Sequence, residues 1–204
     1  MTVTDLSDAL PGGASLLRNE PVQARSSARL TALLDAAAEL VDEVGDERLT
    51  TAMVAERAGA SIGTVYRYFP DRLAVVDSLA LRCLRRLGER VAAALAGDAD
   101  ASPVDVLVDA LVELHRTEPG ARVLRGDRLE VGGEGDGPVG ATLAEQLAGA
   151  VAARTGADVD GLATASGVAV VTALAVVAHA VRDGAVDEAV VDDGRRLLRA
   201  HLGA

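Results

Sequence analysis

Every aromatic side chain of this 204-residue chain falls inside one tetrapeptide, Tyr66-Arg67-Tyr68-Phe69, because the sequence holds two Tyr, one Phe and no Trp. The core must therefore be aliphatic, and the chain has the material for it: half of its residues are hydrophobic, mostly Ala, Val and Leu. Phe69 suits a core. Two tyrosines flanking an arginine on a short helix read instead as a surface that meets something.

The net charge of −11 argues against a general polyanion binder, since non-specific affinity for nucleic acid comes from clustered cations. A local basic surface remains open, so charge has to be read by segment. All 20 basic residues are Arg. The single cysteine, Cys83, cannot close an internal disulfide, which fits a cytoplasmic protein in which Cys83 is a small buried hydrophobe. Residues 1–17 carry Asp5 and Asp8 and no long apolar run, so no signal peptide is expected there. Residues 1–24 read as a disordered N-terminal arm.

Apolar residues recur at helical spacing along the chain. Leu30, Leu33, Leu34, Ala37, Leu40, Val41 and Val44 make one stripe of a helix over 27–44, capped by Ser26 or Ser27 and ended by Gly45. A short helix follows Thr50 or Thr51, and a third runs from Ile62 to Phe69 after the break at Gly59-Ala60-Ser61. Pro70 suits the first turn of a fourth, which continues to Gly97. Further helices are predicted over 103–118, 139–154, 159–183 and 186–202. Residues 121–130 are ambiguous, and the glycine-rich stretch Val131 to Pro138 reads as a flexible connection. No strand-like alternation of useful length is present. Leu162 to Val181 is long and apolar enough for a bilayer, but its Ala, Val, Gly, Thr and Ser content and lack of aromatic ends suit a buried or interfacial helix, so no membrane partner is expected.

Residues 50–69 have the spacing of a helix-turn-helix. Ala55 falls where two helices cross closely, Gly59 lies in the turn where positive φ is needed, and Val65 points back toward Ala55 and Val54. The second helix then presents Ile62, Gly63, Thr64, Arg67 and Tyr68 outward. A major groove admits one helix, Gly63 allows close approach, Thr64 can touch a thymine methyl and Arg67 can grip guanine. The tyrosine hydroxyls and Thr50 or Thr51 at a helix start suit phosphate.

The run Leu49-Thr50-Thr51-x-x-Val54-Ala55-x-x-Ala58-Gly59-Ala60-Ser61-x-Gly63-Thr64-Val65-Tyr66-x-Tyr68-Phe69-Pro70-Asp71-Arg72 resembles the TetR family of bacterial transcription regulators over roughly residues 27–76. The resemblance implies an all-α homodimer of about nine helices, with a DNA-binding domain over 25–71 and a ligand-binding and dimerising body over 72–204. It implies DNA contacts from Arg25, Thr50, Thr51, Ser61, Ile62, Gly63, Thr64, Tyr66, Arg67, Tyr68 and Arg72, and a dimer interface from the last two helices, about 159–183 and 186–202. It also implies a repressor that leaves a palindromic operator when a small effector binds. No cofactor, metal site or enzymatic chemistry is called for. The sequence departs from the family pattern in two ways. Ile62 stands where a polar or basic residue is common, and residues 18–72 hold seven Arg against nine acids.

Other features have plainer readings. His115 and His179 lie on apolar helices and are expected to be buried and hydrogen-bonded. Arg195 and Arg196 read as surface charges favoured by a helix dipole. The body from Val75 onward has no aromatic residue, so a cavity there would suit an aliphatic or generally apolar effector. Two alternatives stay open at this level: an all-α dimeric interaction protein, and a regulator that has lost its ligand response.

Overall fold

The structure, a computed structural model, describes residues 24–98, 100–125, 138–182 and 185–203. The fold is all-α, with a single two-residue-per-strand hairpin among these residues. The helices are α1 (Ala24–Val44), α2 (Thr51–Arg57), α3 (Ile62–Tyr68), α4 (Arg72–Gly97), α5 (Pro103–Thr117), α6 (Pro138–Thr155), α7 (Val159–Ala180) and α8 (Glu188–Leu202). Eight helices lie among the described residues, where about nine are expected for the chain. A 3-10 turn, Ala121–Val123, occupies the ambiguous stretch.

Several boundaries differ from expectation. Helix α1 starts at Ala24, so Ser26 and Ser27 lie within it rather than capping it, and Ala24 does not belong to an arm. The rest of that arm lies outside the described residues, as does the glycine-rich connection up to its last residue, Pro138, which opens α6. Pro70 precedes α4 instead of sitting in its first turn. The start is made by Asp71, whose Oδ1 accepts from the Ala74 amide at 2.9 Å. Helix α7 stops at Ala180, and Val181–Arg182 pairs antiparallel with Ala185–Val186 in a minimal hairpin, β1 and β2.

The chain divides into two compact units. The described residues of the first run to Cys83 and include Pro119–Val123; the second comprises Leu84–Glu118 and the described residues from Leu124 on. In the first, Leu30, Leu33, Leu34, Ala37 and Val41 of α1 are buried together with Val54, Val65, Phe69, Val75 and Leu79. Cys83 is buried, as a small hydrophobe should be. The 3-10 turn is tied to α1: the Gly120 amide donates to Asp42 Oδ2 at 2.9 Å.

In the second unit α5 packs with α6, α7 and α8. Its buried stripe is Val104, Leu107, Val108, Leu111 and Leu114. Arg195 of α8 is not the solvent-facing charge expected. It is 19% exposed and reaches Asp109 at 2.5 Å and Asp105 at 3.5 Å, both on α5. Arg199 joins the same Asp105 at 2.6 Å. Burial acts to raise the Asp105 carboxyl, but the hydrogen bonds from Arg199, Ser102 and Arg195 and the charge of Arg199 together hold it below its usual range. Gly194 lets α8 come close to α7: a Cβ there would lie 2.6 Å from Val176 Cγ1.

Candidate DNA-binding surface

The turn between α2 and α3 is closed by two backbone bonds. The Ala60 amide donates to the Ala55 carbonyl at 2.8 Å and the Gly59 amide to the Glu56 carbonyl at 3.1 Å, with Gly59 at φ +60. This pair of bonds satisfies two end carbonyls of α2 and needs the left-handed conformation that glycine adopts without penalty. Thr50 caps α2, its hydroxyl accepting from Met53 N, and Ser61 caps α3, accepting from Thr64 N. Val54, Ala55 and Val65 are all buried, as the spacing predicts for helices crossing on a shared core.

With that core fixed, α3 turns Ile62, Gly63, Tyr66 and Arg67 to solvent, and Thr64 is half-buried. Of the two tyrosines, both expected at the surface, Tyr66 lies there and Tyr68 does not. Tyr66 is 42% exposed, and its hydroxyl accepts from Thr51 Oγ1 at 3.3 Å. Tyr68 does not point outward: it is 3% exposed, and its hydroxyl lies 2.9 Å from Ser26 Oγ. The physical reason is helical period. Tyr68 follows the buried Val65 by three residues and shares its face, whereas Tyr66 follows it by one and cannot.

The arginines near this surface differ in availability. Arg57 is held by Glu43 at 2.6 Å and Glu39 at 3.1 Å, both on α1. Their hydrogen bonds raise its pKa, and the Arg57 hydrogen bond keeps Glu43 below the usual carboxylate range. Arg48 donates to the Val44 carbonyl and Arg72 to the Asp46 carbonyl, each at 2.7 Å. Arg67 makes no ion pair among the described residues; its guanidinium stands 5.4 Å from the centroid of the Tyr68 ring. The side chain of Arg25 lies outside the described residues, although its backbone is part of α1. Sequence reasoning missed Ser26 as the partner of Tyr68 and the Asp46 carbonyl as the anchor of Arg72.

Comparison with known proteins gives the same answer from both halves. The family described as bacterial regulatory proteins, tetR family, matches residues 33–79, and the tetracyclin repressor-like C-terminal domain matches 98–204. The chain belongs to the TetR family. It is similar to a TetR-family regulator from Streptomyces coelicolor, with 36% identity over 86% of this chain and 98% of that one and a TM-score of 0.69. It also resembles the transcriptional regulator BetI of Serratia proteamaculans, 36% identical over 37% of this chain and 38% of the relative. The repressor KstR of Rhodococcus jostii is 31% identical over 44% of this chain and 43% of its own length. The chain spans less than half the length of these two relatives. As a TetR-family protein it is a helix-turn-helix transcription regulator, and α2–turn–α3 is its helix-turn-helix. His115 and His179 fall outside that motif. His115 is largely buried, its Nδ1 2.9 Å from the Leu111 carbonyl and its Nε2 without a partner among the described residues. His179 is exposed rather than buried and bonds Arg182 at 3.0 Å.

Proposed function

We propose that the chain is a repressor that binds a palindromic operator as a homodimer and is released by a small apolar effector. The supporting observation is the outward strip of α3, Ile62-Gly63-Thr64 with Tyr66 and Arg67, set on a rigid capped turn. In this reading α3 lies in the major groove, Arg67 bonds guanine, and Thr50, Thr51, Ser61, Tyr66, Arg25 and Arg72 lie along the flanking backbone. The Tyr68 hydroxyl acts through Ser26 and so orients α1 on α3. Residues 25–71 are the DNA-binding domain and 72–204 the body.

The dimer reading rests on α7. This helix has a mean hydropathy of 2.0 in its most apolar window, yet only 33% of that window is buried within the chain. Val168 and Ala175 on it are exposed, and so is Leu197 on α8. A partner copy covering this face would account for a helix that passes the length test for a membrane span but carries Thr164, Ser166 and Thr172 along it. Two recognition helices would then meet half-sites about one helical turn, ~34–36 Å, apart or a multiple of that. An effector in the aromatic-free body acts by changing that separation.

The test is a gel shift on DNA from just upstream of the chain's own gene, at two salt concentrations, beside sedimentation analysis of the free protein. A salt-sensitive, palindromic footprint from a dimer is expected. Failure to shift that DNA and any of a pool of random duplexes would overturn the operator reading in favour of an all-α interaction protein. A footprint that no apolar compound disturbs would leave a constitutive regulator.

A further inference from the structure

We propose that Ile62 is a specificity-determining residue that reads thymine 5-methyl groups in the half-site; this rests on the operator-binding reading above. Ile62 is a β-branched apolar residue left 43% exposed at the first position of α3. Exposing it contributes nothing to folding, and β-branched side chains are poor helix formers. Next to it, a Cβ on Gly63 would meet nothing nearer than Ser61 Oγ at 3.9 Å. The fold therefore does not demand a glycine there, and what Gly63 provides is room for a close external surface. The hydroxyl of Thr64 is already engaged with Ser61 Oγ at 2.9 Å. The leading turn of α3 thus carries no charge and one hydroxyl already bonded within the protein. Its one charged side chain, Arg67, comes in the last turn.

An apolar side chain facing base edges in a major groove has one apolar feature to find, the methyl group of thymine. Hydrogen-bonding edges of the other bases would be left without partners against Ile62, so the contact discriminates as well as attracts. Ile62 therefore favours thymine where a polar residue would favour another base, and Arg67, five residues or about one and a half turns further along α3, favours guanine.

The test uses the full chain. Its half-site is selected from random duplexes, and each thymine is replaced singly by deoxyuridine, which removes the methyl and keeps the pairing. For the native chain, one or two such replacements should weaken binding about fourfold, the factor for burying one methyl group. For Ile62→Ala the same replacements should change nothing. Reselection with Ile62→Gln should move the preference at that position from thymine to adenine. Circular dichroism melts establish that both variants fold. Equal sensitivity to deoxyuridine in the native chain and Ile62→Ala, or none in either, overturns the proposal while leaving operator binding standing. A chain that selects no sequence at all overturns the operator reading itself, and this inference with it.

Discussion

The hydroxyls of Ser26 and Tyr68 lie 2.9 Å apart and join the first turns of α1 to the last residue of α3 across 42 residues of sequence. Tyr68 Oη is also 3.4 Å from the Ser26 carbonyl. Removing the hydroxyl with Tyr68→Phe keeps the buried ring and leaves Ser26 without its partner. It should destabilise the first unit by ~0.5–1.5 kcal/mol, read as a lower urea midpoint with an unchanged slope. Because the ring is buried, the salt dependence of DNA binding should not change.

Arg67 and Arg57 both belong to the helix-turn-helix, yet their replacement should differ sharply. Arg57 is already neutralised by Glu39 and Glu43. Arg57→Gln should leave operator affinity and its salt slope nearly unchanged. Arg67→Ala should cost ~1–3 kcal/mol of operator binding and relax the choice of base at one position. Competition binding against single-base variants of the selected operator separates the two.

Gly63→Ala should give opposite signs for stability and function. The space for a Cβ is open, and alanine in a helix is favoured over glycine by ~0.5–1 kcal/mol. The melting temperature should rise. Operator affinity should fall, because the methyl group stands between the helix backbone and the bases. A variant that gained stability and kept full affinity would show that α3 does not approach DNA at this point.

Helical stripes, the start of α2 at Thr50 or Thr51 and the turn at Gly59 were legible in the sequence because each is local: the signal and the structure lie within a few residues of one another. The orientation of Tyr68 was legible too, three residues after a core valine, but its place in an aromatic cluster outweighed the period. Other features left no local trace. The pairing of Arg57 with α1, of Arg195 with α5 and of Ser26 with Tyr68 each joins residues far apart in sequence, and one sequence does not say which acid meets which arginine. The hairpin at Val181–Val186 pairs only two residues per strand, too few for alternation to show.

His115 makes stability depend on pH. Burial pushes its imidazole below the ordinary range, with the Leu111 carbonyl acting in the opposite sense. Between that lowered folded pKa and the unfolded value of ~6.5, the unfolded chain binds a proton that the folded chain does not. Stability should therefore fall as pH drops below ~6.5 and level off, for this group, below the folded pKa. His115→Gln should remove that part of the slope, measured as the urea midpoint at pH steps between 7 and 5.

Gly194 and Val176 set how closely α8 lies on α7. With a methyl at 194 placed 2.6 Å from Val176 Cγ1 and 3.4 Å from its Cβ, either the valine or the helix has to move. Valine has no flexible end to swing away, and its χ1 choice in a helix is narrow. Gly194→Ala should therefore destabilise by ~1–3 kcal/mol, despite the better helix propensity of alanine. Val176→Ala alone should also destabilise, through the volume it empties. Combined, the two should cost less than their sum, since the new methyl occupies space the valine has vacated. Urea midpoints of the two single variants and the double variant measure this coupling, and strict additivity would mean that some other contact holds the helices at their present separation.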